Sequence, residues 1–453
     1  MKTRSLLLPF GAALASLVAS SSAHAAGTAL DVQSSRGTGM ASAMTSHTDD
    51  AGSIFFNPAG IAQGKKVDIQ AGMTFIIPGY KYYAPDGSYT RLNTNVSTPF
   101  HVYATAGITD DLSVGIGVNN PAGLTLNWPT DWVGRSEAIK ISHINYTINP
   151  TVAYKWGPLK IGAGFQAVRS TVELTRALRF PGQEGQSQIT GGTWGFGGNV
   201  GVQFEAIKQY LNLGVAYRSR VGLNYDDGKA HFSNVPPALQ NTFFDQGGSS
   251  ALVLPHILQF GASTRPTEKL LLAFDAWVYF WSTLESIDIN FEKSTALNTS
   301  LPKNWSNRVN YHLGGEYQFT KNWAGRLGVM YDPSPSPPST LAPSTPDANR
   351  LNLAAGVGYK HDCGFFADLG YRYLVLFKKD SSYAPLPGQY GGNVNLFGLT
   401  VGFRFDYGDK KATTPPPDAG PAPMDNQTPA GTSPGPVEPA PNPAPDSANP
   451  SQP

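Results

Sequence analysis

"VNLFGLTVGFRF", Val394–Phe405, is the run that decides the fold class. Phe397, Leu399, Val401, Phe403 and Phe405 alternate with Gly398, Thr400, Gly402 and Arg404. Successive strand side chains point to opposite faces, so one face here is greasy and the other small and polar. "LLLAFDAWVYFWS" (270–282) repeats the pattern, with Leu272, Phe274, Ala276, Val278 and Phe280 opposite Asp275, Trp277 and Tyr279. In "LNLGVAYRSR" (211–220), Leu211, Leu213, Val215 and Tyr217 oppose Asn212, Gly214, Arg218 and Arg220. A soluble sandwich also alternates, burying its greasy face against a second sheet. The connections separate the two. Short turns fall at 109–111, 156–158, 207–210, 266–269, 320–322 and 361–364. Longer connections fall near 78–97, 127–138, 177–193, 228–252, 291–305, 335–348 and 379–391. Six turns plus seven loops make thirteen connections, hence fourteen strands. An even count of antiparallel strands, short turns at one end and long loops at the other, predicts an all-β transmembrane barrel.

Composition agrees. The 453 residues include 49 Gly, 20 Tyr and 23 Phe, but only 14 % are charged, against about 25 % in ordinary soluble proteins. A net charge of +1 argues against nucleic acid as a partner. The single Cys363 excludes an internal disulfide framework and a cysteine metal cluster. Lys2 and Arg4, the apolar "LLLPFGAALASLVA" and Ala23-His24-Ala25 read as an export signal over 1–25. Beyond it no run is long and apolar enough for a spanning helix. Residues 26–66 show no alternation, and Ala and Met favour a short helix at 38–46. The barrel is read over 67–407. Residues 408–453 are Pro-rich and too poor in large apolar residues to form a core, so a disordered tail is expected.

An ordered series of segments resembles the FadL-type transporters of long-chain fatty acids and aromatic hydrocarbons in Gram-negative outer membranes (OmpP1/FadL/TodX). They are "DDAGSIFFNPAGIA", "NNPAGLTLNWPTDWVGRSEAIK", "INYTINPTVAYKW", "WGFGGNVGVQFE", "LNLGVAYRSRV", "FDAWVYFWS" and "RLGVMYDPSPSP". The resemblance implies a fourteen-stranded barrel with an N-terminal hatch in its lumen. It implies passive uptake of hydrophobic molecules, captured among outer loops, passed to a lumen pocket, and released sideways at a kink in the third strand after the hatch shifts. Implied partners are the hydrophobic ligand, outer-membrane lipid and lipopolysaccharide, and the barrel-insertion machinery, with the protein a monomer. The family usually ends on an aromatic residue of the last strand; here Phe405 is followed by the Pro-rich tail.

Asn-Pro-Ala-Gly occurs twice. In the second copy, Asn119, Asn120, Pro121, Ala122 and Gly123 interrupt the third strand, where Pro121 cannot donate to a ladder. A kink that lines a cavity is the functional reading; an ordinary bulge or early strand end is the alternative. In the first copy, Asn57, Pro58 and Ala59 read as a turn or cap that folds the hatch. Asp49 and Asp50 are candidates to tie the hatch to lumen cations such as Arg218. Phe232, Val235, Leu239, Phe243 and Phe244 place large apolar groups in an outer loop, with Leu178 and Phe180 as an opposite wall. Such exposed groups mark either a binding groove or loop-on-loop packing. Arg176, Arg179 and Lys229 are candidate partners for an acidic ligand. Trp132 of "DWVGR" suits the interfacial aromatic girdle, and Arg135 could pair with Asp131 or Glu137. Ser142-His143, His256 with Asp275, and His101 are fragments of a hydrolase site without a nucleophile motif, so no catalytic residue, metal ligand or cofactor is expected. A plugged porin for polar solutes is the remaining rival.

Overall fold

This computed structural model describes residues 28–407; the export signal and the Pro-rich tail read from the sequence lie outside the described residues. Fourteen antiparallel strands close into a barrel. They are β1 Lys66–Tyr83, β2 Phe100–Gly107, β3 Leu112–Asn119 continued by Gly123–Asn127, β4 Lys140–Trp156, β5 Leu159–Phe180, β6 Gln183–Ile207 and β7 Leu211–Arg218 continued by Val221–Ser233. The circuit goes on through β8 Gln246–Leu254 continued by Ile257–Thr267, β9 Leu270–Tyr279, β10 Arg308–Gln318, β11 Trp323–Asp332, β12 Arg350–Lys360, β13 Phe365–Ser381 and β14 Gly388–Asp406. β14 closes on β1, from Lys66 opposite Asp406 to Tyr83 opposite Gln389. Closure pairs the strands around the whole circuit, as a span through lipid requires, with one break on the β2 side of β3.

The alternation sorts outside from inside. Ile69, Met73, Phe75, Phe397, Leu399 and Phe403 are exposed on the outer face. Phe75 stands opposite Phe397 and Met73 opposite Leu399. The intervening Asp68, Gln70, Thr74 and Thr400 are buried inside. The six short turns all lie where the sequence puts them, between consecutive strands at one end.

Several of the seven long connections differ from expectation: that read at 78–97 runs 84–99, that at 291–305 spans 280–307, and that at 379–391 shrinks to 382–387. Residues 177–193 are not a loop: β5 and β6 run on beyond the barrel body, in register to Phe180 opposite Gln183, and turn at Pro181-Gly182. The connection read at 228–252 shrinks to 234–245, because β7 and β8 also extend outward. Leu178, Phe180 and Phe232 therefore sit on strands. The register here is fixed by main-chain pairing of β7 with β6, Lys229 opposite Thr190 to Ser233 opposite Gln186.

Candidate functional site

Residues 33–62 are almost wholly buried against the inner face of the strands. Small inward residues make this possible. A side chain at Gly328 would meet the Met40 carbonyl carbon at 2.5 Å, and one at Gly162 would meet Pro58 and Ala59. The helix expected at 38–46 forms earlier, as α1 Ser35–Gly39, because Ser34 caps it through Gly37 N. Positive φ at Ala41 and Ser42 then ends it. After α2, Ser53–Phe56, Asn57 accepts from Ala59 N to cap the turn at Pro58–Ile61, while its amide donates to Thr45 O at 2.8 Å and Val202 O at 3.0 Å. The first Asn-Pro-Ala-Gly thus folds this segment and pins it to β6.

Ions tie the segment to one side of the barrel. Arg36 bridges Asp49 at 2.7 Å, Asp50 at 3.1 Å and Glu316 of β10 at 3.1 Å. Arg372 of β13 holds Asp31 at 2.8 Å. Arg218 is buried and inward-facing but meets neither Asp49 nor Asp50; it donates to Phe55 O at 2.8 Å and lies over the Phe55 ring. The acids are taken by Arg36, a cation of their own segment that the sequence reading overlooked. Asp275 of β9 accepts from Met44 N, Thr45 N, Thr45 Oγ1 and Trp277 Nε1 through one oxygen.

The third strand is interrupted between Asn119 and Gly123. Asn119 lies opposite Thr147, but Gly123 lies opposite Ile144, so one extra residue is inserted on β3. A one-residue shift exchanges faces: Asn119 faces in before the break, Leu126 after it. Beyond Asn119, β3 has no ladder to β2, which begins at Phe100. The freed backbone is satisfied by the N-terminal segment. Leu30 N donates to Pro121 O at 2.9 Å and Gly123 N to Thr28 O at 2.8 Å, flanking an antiparallel bridge between Ala29 and Ala122. Gln33 adds bonds to Asn120 O and Asn120 N.

A cavity of about 490 Å³ lies at this break. Its lining includes inward-facing Asp332, Arg372 and His143, but also Ile144 and Tyr146 of the outward register, and the stretch Asn95–Phe100. Its lining therefore takes in residues of both registers. Leu124, Ser142 and His143 also line a second, mostly apolar pocket of about 140 Å³, with Trp281, Leu284, Ile287, Trp305 and Lys303. Lys303 is buried, donates to Thr345 Oγ1 at 3.0 Å, and has no carboxylate partner among the described residues. Burial pushes its ammonium down to about 8. Leu174, Ile189, Ile289 and Leu301 join this pocket to an outer aromatic cluster. In that cluster Phe243 packs edge-on to Phe180 at 5.2 Å and to Phe232 at 5.7 Å, with Leu178 and Val235 alongside. Leu239 and Phe244 are half-buried on the same loop, Phe243 N bonding back to Leu239 O.

Other candidates lie elsewhere. Arg179 and Lys229 are exposed and Arg176 is half-buried; none lines the apolar pocket. Trp132 is not in an outer girdle: it stacks on Trp128 at 4.4 Å and donates to Ala138 O, buried among the loops. Arg135 pairs with Glu184 at 2.9 Å, not Asp131 or Glu137. His256 bonds Tyr217 OH, while Asp275 is spent on the N-terminal segment, so those fragments do not converge. The sequence reading missed Lys303; its only mark was a cation between Leu301 and Trp305 in a loop.

The family described as outer membrane protein transport protein (OMPP1/FadL/TodX) matches residues 16–405. A long-chain fatty acid transport protein of Salmonella typhi is 25 % identical over 445 residues, 89 % of this chain and 100 % of that protein. Outer membrane protein P1 of Haemophilus influenzae is 24 % identical, over 80 % of this chain and 88 % of its own. Among solved structures, a Pseudomonas aeruginosa FadL homologue superposes with a TM-score of 0.73 at 17 % identity, covering 84 % of this chain and all of that one. The Pseudomonas putida toluene transporter TodX gives 0.66 at 14 %, covering 85 % and 99 %. The chain is an outer-membrane β-barrel and belongs to the OmpP1/FadL/TodX family of transporters for hydrophobic substrates.

Proposed function

We propose that this protein takes up long-chain acids passively, along a path of four stations. The Phe180–Phe232–Phe243 cluster captures the ligand. The Lys303 pocket holds it. Movement of residues 28–33 opens the way, and the ligand leaves through the gap at Asn120–Gly123 into the membrane. The observation that supports this reading is adjacency: shared residues place the outer cluster beside the Lys303 pocket, and that pocket beside the cavity at the β3 break, where N-terminal backbone is bonded. The printed names of its relatives span fatty acid and toluene transport. Lys303 favours the acid, because an ammonium without a carboxylate partner in the lining of an apolar pocket suits a carboxylate on an alkyl chain. A polar-solute porin is disfavoured by the same apolar lining.

The test is uptake of radiolabelled oleate and of toluene in a strain lacking its outer-membrane transporter. The strain expresses either the wild type or a variant with 119–123 redesigned as a regular strand of equal folding. Wild type restores oleate uptake and the straightened variant does not. Equal uptake by both would send passage through the lumen instead.

Lys303→Met should weaken oleate binding by about tenfold, the worth of a charge-assisted bond, and leave toluene unchanged. The cation exists below about pH 8 and is lost as pH rises through that value. Wild-type affinity for oleate therefore falls above pH 8, and the Met variant's does not. Calorimetry on the purified barrel reads both; a flat wild-type profile would remove Lys303 from the site.

A further inference from the structure

The outer wall carries a charge cluster that lines neither cavity of the path. Lys81 of β1 and Arg91 of the short strand Tyr89–Arg91 stand directly opposite each other in antiparallel register. Lys81 shares the outward parity of Ile69, Met73 and Phe75. Two like charges so placed destabilise the pair unless an anion sits between them. Lys378, exposed at the bulge in β13, adds a third cation: its Nζ lies 4.1 Å from the Tyr83 ring centre, and Lys81 Nζ lies 5.3 Å from that of Tyr89. Between Lys81 and Lys378 the β14 residue is Gly391, so the floor is bare backbone. Among the described residues no salt bridge involves Lys81, Arg91 or Lys378. The nearby acids are engaged: Asp86 accepts from Ser88, and Asp380 accepts from Gln389 Nε2 at 2.8 Å.

Position supplies the second argument. The cluster lies at the long-loop end, four residues beyond Ile77, the end of the apolar run on β1. That is about 13 Å along a strand, just above the apolar band that barrels present to lipid. Exposed Phe75 and Phe397, opposite each other, lie on that band below it, and exposed Phe377 stands beside Lys378 at its own level. We infer that Lys81, Arg91 and Lys378 bind the phosphate of the outer leaflet's phosphorylated glycolipid, with its acyl chains on the phenylalanine belt. Tyr83 and Tyr89 hold the ammonium groups in place through their ring faces.

The test compares purified full-length wild type with the triple variant K81Q/R91Q/K378Q, using heat-modifiable gel mobility to establish that both barrels fold. Probes are diphosphorylated lipid A, phosphate-free lipid A and inorganic phosphate, read by native mass spectrometry from detergent. Three surface cations predict a loss of about a hundredfold in affinity for diphosphorylated lipid A, at roughly fivefold each, with oleate binding unchanged. A Lys378→Gln single variant should lose about fivefold on the same scale and serves if the triple variant does not fold. Undiminished binding by the variants, or equal binding of phosphate-free lipid A, overturns the site. Inorganic phosphate binding as tightly as the lipid overturns the lipid as its ligand.

Discussion

Ala29→Cys with Ala122→Cys, in a Cys363→Ser background, abolishes oleate uptake when oxidised and regains it on reduction. The pair is suited to a cross-link. Leu30 N to Pro121 O and Gly123 N to Thr28 O flank it, so Ala29 and Ala122 form the non-hydrogen-bonded position of an antiparallel pair. Such positions bring Cα atoms to about 4.5 Å, within the span a disulfide accepts. Cys363 is exposed on a short turn at the other end and is replaced only to prevent mispairing. The lock leaves the barrel ladder, the Lys303 pocket and the outer cluster untouched. It prevents one movement: withdrawal of residues 28–30 from the break in β3. Oxidised uptake should fall to that of a strain lacking the protein, with the cross-link verified by mass spectrometry of unreduced peptides. Full uptake by a verified cross-linked protein would mean that the ligand does not leave between β2 and β3.

The barrel was legible because its signal is local and repeated. Each strand, like Val394–Phe405, carries its own alternation, and turn spacing supplied the count. The interruption at Pro121 was legible for the same reason, since proline's missing N–H acts where it stands. What covers the interruption was not. Nothing about Ala29 or Leu30 marks them as backbone partners of residues some ninety positions away, because main-chain bonds carry no side-chain signature. Arg36 was passed over for a similar reason. Alternation points Arg218 inward, but in a segment without period no rule says where a cation points, and Arg36 lies closer to Asp49 and Asp50 in chain and in space. The extended hairpins of β5–β6 and β7–β8 were misread as loops. The β5 and β7 arms keep their alternation, but their partners on β6 and β8 begin with Gln183–Ser187 and Gln246–Ser250, small polar runs that read as turn residues.

Asp275→Ala should release the N-terminal segment while the barrel stays folded. The Asp275 side chain is wholly buried, and its Oδ2 receives Thr45 Oγ1 at 2.6 Å, Thr45 N at 2.8 Å, Met44 N at 2.9 Å and Trp277 Nε1 at 3.2 Å. Alanine leaves those donors facing a void, at a cost of roughly 3–5 kcal/mol. The loss falls on the segment, because the strand pairing of β9 to β8 and β10 is main-chain and does not use the carboxylate. The ionic anchors, Arg36 to Glu316 and Arg372 to Asp31, hold residues 31–36 and lie earlier in the chain, while Gln203 and Asn57 hold Thr45 and Thr48 by neutral hydrogen bonds alone. Around residues 44–45 the segment should therefore loosen first. Three readouts follow: protease cleavage within 40–50, heat-modifiable mobility unchanged, and entry of a large hydrophilic antibiotic such as vancomycin into cells expressing the variant. Asp275→Asn keeps one acceptor oxygen at the same place and should leak far less. If the alanine variant resists protease and excludes vancomycin as the wild type does, Asp275 is a packing residue of β9, and the segment is held by its arginines instead.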